Sequence, residues 1–198
     1  MSLLDRLDEI DRAAFLAING AHAPWADGVM VLASAMPTWF PVYALLLVVL
    51  QRRYGWAAFA WCLPVIALMI LCSDSGSVVL FKNTVQRLRP CHEPALQGLV
   101  RLVDGHCGGR FGFVSSHASN HFAIAVFVAR ALQGRPAWAG GALLGWAAFV
   151  AYSRIHLGVH YPGDVLVGGL YGAAVGALFF TIFRRVSQWR AAAQGPTA

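Results

Sequence analysis

Uncharged, largely apolar stretches punctuate the chain from Gly28 to Gln51, Tyr54 to Ser73, Phe111 to Ala129, Pro136 to Ser153 and Val165 to Phe183. A helix that crosses the hydrocarbon core needs roughly 20 mostly apolar residues, with a lower limit near 17, so each stretch can span a bilayer. The spacing predicts an all-α polytopic membrane helix bundle with five to six transmembrane helices and an amphipathic N-terminal helix. Pro37 and Pro41 interrupt the first stretch, which predicts a short re-entrant or interfacial helix before the span proper, or a sixth span if the part before Pro37 inserts fully. Ahead of it, in residues 1–24, Leu3, Leu7, Ile10 and Ala14 recur at helical spacing among charged side chains. Such a helix lies on a membrane surface or is simply solvated. Acidic residues stand where a cleavable signal would carry only positive charge, so no signal is expected. Residues 25–186 then form one membrane domain, and 187–198 a disordered cytoplasmic tail.

Composition strengthens the membrane assignment. Apolar residues make up 58% of the chain and charged ones 12%, against about 45–50% and about 25% for a soluble domain. That excludes a disordered chain and most soluble enzymes. The net charge of +6 does not point to nucleic acid, because the arginines sit singly or in pairs at the ends of apolar stretches. Trp25, Trp39, Trp56, Trp138 and Trp189 flank those stretches as an interfacial belt. Placing Arg52 and Arg53, Arg130 and Arg135, and Arg184, Arg185 and Arg190 in the cytoplasm orients the chain without conflict. Residues 74–110 and 154–164 then both face outward, toward the periplasm if the membrane is a bacterial inner membrane.

Nearly every unusual polar residue falls in those outer segments, and charge at helix ends is costly unless it has a task. Three segments can meet there: Lys82 to Pro90, Val114-Ser115-Ser116-His117, and Ser153 to Asp164. They bring together three cations, a serine pair, two histidines and one carboxylate, without the cluster of acids that magnesium or calcium needs. This inventory suits phosphoryl transfer without metal or cofactor, in which catalysis is mainly positioning and charge stabilisation. Lys82, Arg89 and Arg154 can hold phosphate oxygens, and backbone N–H groups near Ser115 and Ser116 add donors if a helix starts there. Asp164 lies four residues after His160, so on a helix the carboxylate can hold one ring N–H while the other nitrogen attacks phosphorus. His160 is therefore the better nucleophile and His117 the better general acid. Arg87 is expected to be solvated or to touch headgroups.

The three segments resemble the signature of the type 2 phosphatidic acid phosphatase family of membrane lipid phosphatases, which is related to vanadium haloperoxidases. Lys82 through Arg89-Pro90 fits the first motif, a lysine, six residues and Arg-Pro, and Ser153 through Asp164 fits the third. The middle motif is usually Pro-Ser-Gly-His; here Val114 replaces the proline and Ser116 the glycine. The resemblance implies His160 as nucleophile, His117 as general acid, Asp164 as the partner of His160, and Lys82, Arg89, Ser115 and Arg154 as phosphate holders; Ser116 is expected to add a contact. It also implies hydrolysis of a lipid phosphomonoester or pyrophosphate through a phosphohistidine. Undecaprenyl diphosphate is the first-choice substrate, with phosphatidic acid, phosphatidylglycerol phosphate, the 1-phosphate of lipid A and phosphotransfer as alternatives. A headgroup-gripping transporter is the non-enzymatic reading. No protein partner is required.

Histidines 117 and 121, like 156 and 160, stand at i, i+4, a spacing that also suits metal ligands, although no HExxH pattern occurs. His121 and His156 read as supporting or packing residues, and His22 as an interfacial one. Cys62 and Cys72 read as buried core residues. Cys91 and Cys107 share the outer loop, where an oxidising compartment permits a disulfide, and they are expected to be bridged; the competing reading joins them with His92 and His106 as a zinc site.

Overall fold

The computed structural model describes residues 2–21, 23–134 and 136–193; His22, Arg135 and residues 194–198, on which some of the expectations above fall, lie outside them. Helix α1 (Leu3–Gly20) opens with a capping box, Ser2 and Asp5 each accepting the other's backbone N–H, which satisfies amides that a helix start otherwise leaves open. Its first half leaves Leu3, Leu4, Leu7 and Ile10 exposed, whereas Phe15 and Asn19 near its end are buried. Phe15 packs edge-on against Tyr161 at 5.4 Å, so α1 docks on protein as well as presenting an apolar face outward.

Helix α2 (Pro24–Ser34) has 11 residues, about 16 Å at 1.5 Å per residue, roughly half a hydrocarbon core. It does not make a sixth span. A 3₁₀ turn at Met36–Trp39, carrying Pro37, leads into α3 (Phe40–Gly76). At Gly55 the backbone takes φ 74° and ψ 170°, a conformation costly for any residue with a Cβ. There the chain folds back into arms 40–54 and 56–76, which line one cavity and correspond to the first two apolar stretches. The second arm runs through a π-helical segment, Ser77–Lys82, into the short α4 (Asn83–Val85). After the outer loop come α5 (Ser116–Leu132), α6 (Ala139–His156) and α7 (Pro162–Ala193). Helix α7 extends seven residues into the tail expected to be disordered, so 187–193 belong to a helix.

Helix α5 is the central element, in contact with α3, α6 and α7. Its approach to α7 rests on Gly168, Gly172 and Gly176, one per turn. A Cβ on Gly168 would come within 2.7 Å of the Ser115 carbonyl oxygen, and Cβ atoms on Gly172 and Gly176 would collide with the carbonyls of Ser119 and Ala123. Small residues at this spacing let membrane helices pack backbone to backbone. Gly172→Ala is therefore expected to lower the thermal midpoint in detergent, at a cost of about 1–3 kcal/mol from overpacking. Gly141→Ala, where a Cβ meets nothing within 4 Å, serves as the neutral control; equal midpoints would contradict the close-packed seam.

The outer surface is apolar. In the Met36–Val85 stretch only 11% of the most apolar window is buried, and Leu45, Leu63, Leu68 and Leu71 face outward, as lipid rather than water would allow. Arg53 donates to the Gln133 side chain at 3.0 Å, the Tyr54 hydroxyl to the Ala131 carbonyl at 2.9 Å, and Arg190 covers the Trp61 ring at 4.3 Å. These contacts bring Arg53, the end of α5 and Arg190 to one end of the bundle, opposite the end that carries the polar motifs.

Candidate active site

The third motif ends α6, crosses the turn 157–161 and begins α7. Gly158 has φ 85° and its missing side chain makes room for the Arg101 carbonyl, which a Cβ would meet at 2.5 Å. The Arg154 carbonyl accepts from the N–H groups of Val159 and His160, both at 3.2 Å. This tight turn buries His160 and holds its Nδ1 3.2 Å from Asp164 Oδ2, an oxygen that also accepts the Tyr161 N–H at 3.0 Å. On the far side of the ring, Arg89 Nη1 lies 3.1 Å from Nε2. A guanidinium only donates, so Nε2 offers its lone pair and the ring proton sits on Nδ1, facing the carboxylate. Burial, followed by the positive charges of Arg89, Arg154 and Lys82, pushes the His160 pKa well below the ordinary histidine range. The imidazole is neutral near pH 7 and its free nitrogen points toward cations.

Arg89 is fixed by backbone pairing. Its N–H donates to the Arg110 carbonyl at 3.1 Å, the Gly112 N–H donates to the Arg87 carbonyl at 2.9 Å, and Leu88 bridges Phe111 antiparallel. A second Nη1 contact, to the Val159 carbonyl at 3.2 Å, ties the first motif to the third. From the end of the π-helical segment, Lys82 Nζ donates to Ser116 Oγ at 2.8 Å, and Ser77 Oγ lies 2.6 Å from the same hydroxyl. Arg154 contacts the Ser34 hydroxyl at the end of α2. His117, in the first turn of α5, lies parallel to His121 with centroids 6.5 Å apart. His121 in turn meets the Tyr43 hydroxyl at 3.0 Å and the His117 carbonyl at 2.8 Å.

The eight motif residues are thus brought to one end of the bundle, with one difference in role. The Ser115 hydroxyl, expected to hold phosphate, is fully buried and caps α5 by accepting the Ala118 N–H at 3.5 Å. Its backbone N–H donates to the Asp164 carbonyl at 3.0 Å, locking the second motif to the third. Ser116, which replaces the family's glycine, is the serine that meets Lys82.

Arg87 departs from expectation. It is neither solvated nor at a headgroup: its guanidinium contacts Asp8 at 2.8 Å, Asp11 at 2.6 Å and Asp164 Oδ1 at 3.2 Å, and stacks 3.9 Å over the Tyr161 ring. The alternation Arg-Leu-Arg ahead of Pro90, where the chain favours extended geometry, was the available signal that Arg87 and Arg89 share a face. A further polar cluster was not foreseen. Asp27 accepts both Arg101 Nη atoms, at 2.8 and 3.0 Å, and meets His156 Nε2 at 2.8 Å, while Asn19 bridges the backbones of Arg101 and His156. His156 is thus a supporting residue that pins α6 to α2 and the outer loop.

Cys91 and Cys107 are joined in a disulfide, with Cα atoms 6.0 Å apart. Both thiols are consumed, so the zinc alternative loses its soft ligands; His92 Nε2 turns instead to the Gly108 carbonyl at 3.3 Å, and His106 contacts Asp104. Of the other cysteines Cys62 is buried, but Cys72 is exposed on the outer surface of the second arm. Closing the 16-residue separation limits the unfolded chain, and Cys107→Ser is expected to cost about 3 kcal/mol. A thermal midpoint unchanged by that substitution under oxidising conditions would contradict a stabilising bridge.

A cavity of about 380 Å³ opens beside His117, lined by both arms of α3 and by α5. Leu46, Leu50, Ile66, Ile70 and Ile124 make its apolar wall, and Ser116, His117, Asp74 and Asn120 its polar end. Asn120 Nδ2 donates to Asp74 Oδ1 at 3.2 Å. The arrangement offers a neutral nucleophilic nitrogen among three cations, with a second imidazole between them and an apolar slot.

Comparison with known proteins gives the family. The family model described as the PAP2 superfamily matches residues 58–188. Lipid A 4'-phosphatase of Bacteroides thetaiotaomicron is 34% identical over 186 residues, covering 93% of this chain and 82% of that protein. The putative undecaprenyl-diphosphatase YbjG of Escherichia coli is 28% identical, covering 87% of this chain and 81% of that one. In fold, the chain matches the crystal structure of a transmembrane PAP2 type phosphatidylglycerolphosphate phosphatase from Bacillus subtilis with a TM-score of 0.68 at 21% identity, over 91% of this chain and 88% of that one. These likenesses set aside the transporter reading. A neutral buried histidine among cations, on a helical membrane scaffold that the family model matches over most of its length, makes the chain a member of the PAP2 superfamily and an integral-membrane lipid phosphatase.

Proposed function

We propose that the protein removes phosphate from a membrane lipid without a metal, through a phosphohistidine formed on His160. The observation that carries the mechanism is the pair of contacts fixing His160, Asp164 on Nδ1–H and a donor-only guanidinium at Nε2. When phosphate takes up the guanidinium of Arg89, with Lys82 and Arg154 on its other oxygens and Ser116 beside Lys82, the Nε2 lone pair attacks phosphorus. The P–O bond to the lipid breaks as the N–P bond forms, and His117, which takes up a proton once the charge of the bound phosphate offsets Arg154 and Lys82, gives it to the departing oxygen. Asp164 stabilises the positive charge left on the His160 ring. Water then attacks phosphorus, His117 takes the proton from it, the N–P bond breaks and inorganic phosphate leaves.

The cavity beside His117 fits the lipid chain, and its polar end bears on the choice of substrate. Asp74 repels phosphate but accepts hydrogen bonds from hydroxyl or amino groups, which a phosphorylated sugar lipid carries and a polyprenyl chain lacks. Together with the lipid A 4'-phosphatase relative, this favours a saccharolipid phosphomonoester. Undecaprenyl diphosphate, the substrate class in the name of the second relative, is the other reading. The gathering of Arg53 and Arg190 at the end opposite the site supports an active site on the periplasmic side of a bacterial inner membrane. Phosphate release in detergent from a phosphorylated saccharolipid, undecaprenyl diphosphate and phosphatidic acid, all in excess EDTA, tests both claims. Undiminished release, fastest from the saccharolipid, is expected; fastest release from undecaprenyl diphosphate would transfer the assignment, and loss of all release in EDTA would overturn the metal-free mechanism.

A further inference from the structure

Asp164 Oδ2 is occupied by the His160 ring and the Tyr161 N–H, and its other oxygen, Oδ1, meets Arg87 at 3.2 Å. Among the described residues, no other donor reaches Oδ1, and the carboxylate is wholly buried. A buried carboxylate with one bare oxygen can rotate toward whichever donors remain, so the aim of Oδ2 at His160 depends on Arg87. Arg87 is itself held from outside the family-matched region 58–188. Asp11 on α1 bonds its guanidinium at 2.6 Å with one oxygen, while the other accepts the Gly163 N–H at 2.7 Å, in the residue just before Asp164. Asp8 adds a contact at 2.8 Å, Arg12 braces Asp8 at 2.6 Å and reaches Glu93 at 3.2 Å, and Tyr161 stacks under the guanidinium.

We propose that Asp11 and Arg87 are positioning residues for the nucleophile: through them, the N-terminal helix aims Asp164 at His160. Asp11 grips both sides of the carboxylate's seat, the cation on Oδ1 and the backbone at Gly163, so removing its charge loosens the orientation of the imidazole without touching the phosphate cations. The inference rests on the role of His160 given above, and predicts a loss in kcat with KM unchanged, because substrate binding uses Lys82, Arg89 and Arg154 instead.

The test uses full-length protein in detergent, comparing Asp11→Asn, Arg87→Gln, Arg87→Lys and the double variant Asp11→Asn/Arg87→Gln. Asparagine can still accept the Gly163 N–H, so Asp11→Asn keeps α1 docked while removing the charge. Both single neutralising variants are expected to lower kcat about 10- to 100-fold through misaligned attack, with KM within about twofold. The double variant should be no slower than Arg87→Gln, since both act on one element, and Arg87→Lys should recover part of the rate by restoring the charge without the fork. Retention of more than half of kcat by either single variant, losses that multiply in the double variant, or losses expressed in KM would overturn the proposal. Ring ¹⁵N spectra of His160 read the same claim without turnover: Nδ1 protonated in the wild type and a mixture of tautomers in Asp11→Asn are expected, and identical spectra would overturn it. A wild type inactive on every lipid phosphate would instead defeat the functional assignment, leaving the spectra to judge the positioning role.

Discussion

His160→Ala is expected to lower phosphate release by at least about 10³-fold, since losing a covalent nucleophile leaves only binding and charge stabilisation to accelerate the reaction. The KM for the lipid should change little, because the cations that meet phosphate and the apolar cavity that takes the chain are both intact. The pH dependence carries a separate expectation. Burial and the neighbouring cations hold the His160 pKa well below 6.5, so the free enzyme keeps its nucleophile unprotonated through the range in which an ordinary histidine would charge. The acid limb of kcat/KM attributable to His160 therefore lies well below pH 6.5. The same depression makes folding less stable in acid: the unfolded chain takes up the proton near pH 6.5 and the folded ring does not, so this contribution is lost as pH falls below about 6.5. Ring ¹⁵N spectra in which His160 takes up a proton between pH 7 and 6 would contradict a neutral, desolvated nucleophile.

His117→Ala is expected to cost about 10²–10⁴-fold on a lipid alkyl phosphate, the usual range for a general acid. The size of the loss should depend on the leaving group. An alkoxide needs the proton, whereas a nitrophenolate leaves without it, so the first turnover of an activated aryl phosphate by the variant should run within about tenfold of the wild-type rate. Because His117 is also the proposed base for the water step, a rapid first step on the aryl phosphate followed by slow turnover is expected, seen as a burst of nitrophenolate. Equal losses in the first turnover on alkyl and aryl substrates would remove His117 from proton transfer to the leaving group and leave it as a contact to phosphate.

Much of the fold was legible because a bilayer constrains sequence severely. Five uncharged stretches had to be helices, Arg52-Arg53 marked the reversal now seen at Gly55, and the basic residues separated one end of the bundle from the other. The first motif could be read because Lys82 and Arg89 keep their spacing even though Lys82 ends a π-helical segment and the residues between them form α4 and a left-handed turn at Gln86. What escaped was set by contacts distant in sequence. Arg87 meets Asp8 and Asp11 across more than 70 positions, and no local pattern announces such a pairing. The Ser115 hydroxyl was assigned to phosphate because a motif names a residue without its rotamer, while in the structure the start of α5 claims it as a cap. Gly168, Gly172 and Gly176 were legible in principle, as a glycine on every turn of one apolar helix is itself a packing signal. Helix α7 runs on over 187–193 because polar residues past the last apolar turn do not end a helix that meets no glycine or proline.

The central claim is that a phosphoryl group resides on His160 during turnover, and trapping it is the most direct measurement. Wild-type protein mixed with a lipid carrying ³²P in the scissile phosphate, quenched in alkali within the first turnover and digested, should yield label on the peptide containing His160, stable to alkali and released by acid. His160→Ala should yield none. Phosphate release by the wild type with no trapped label at any quench time, together with equal release by His160→Ala, would contradict the mechanism and point to direct attack by water.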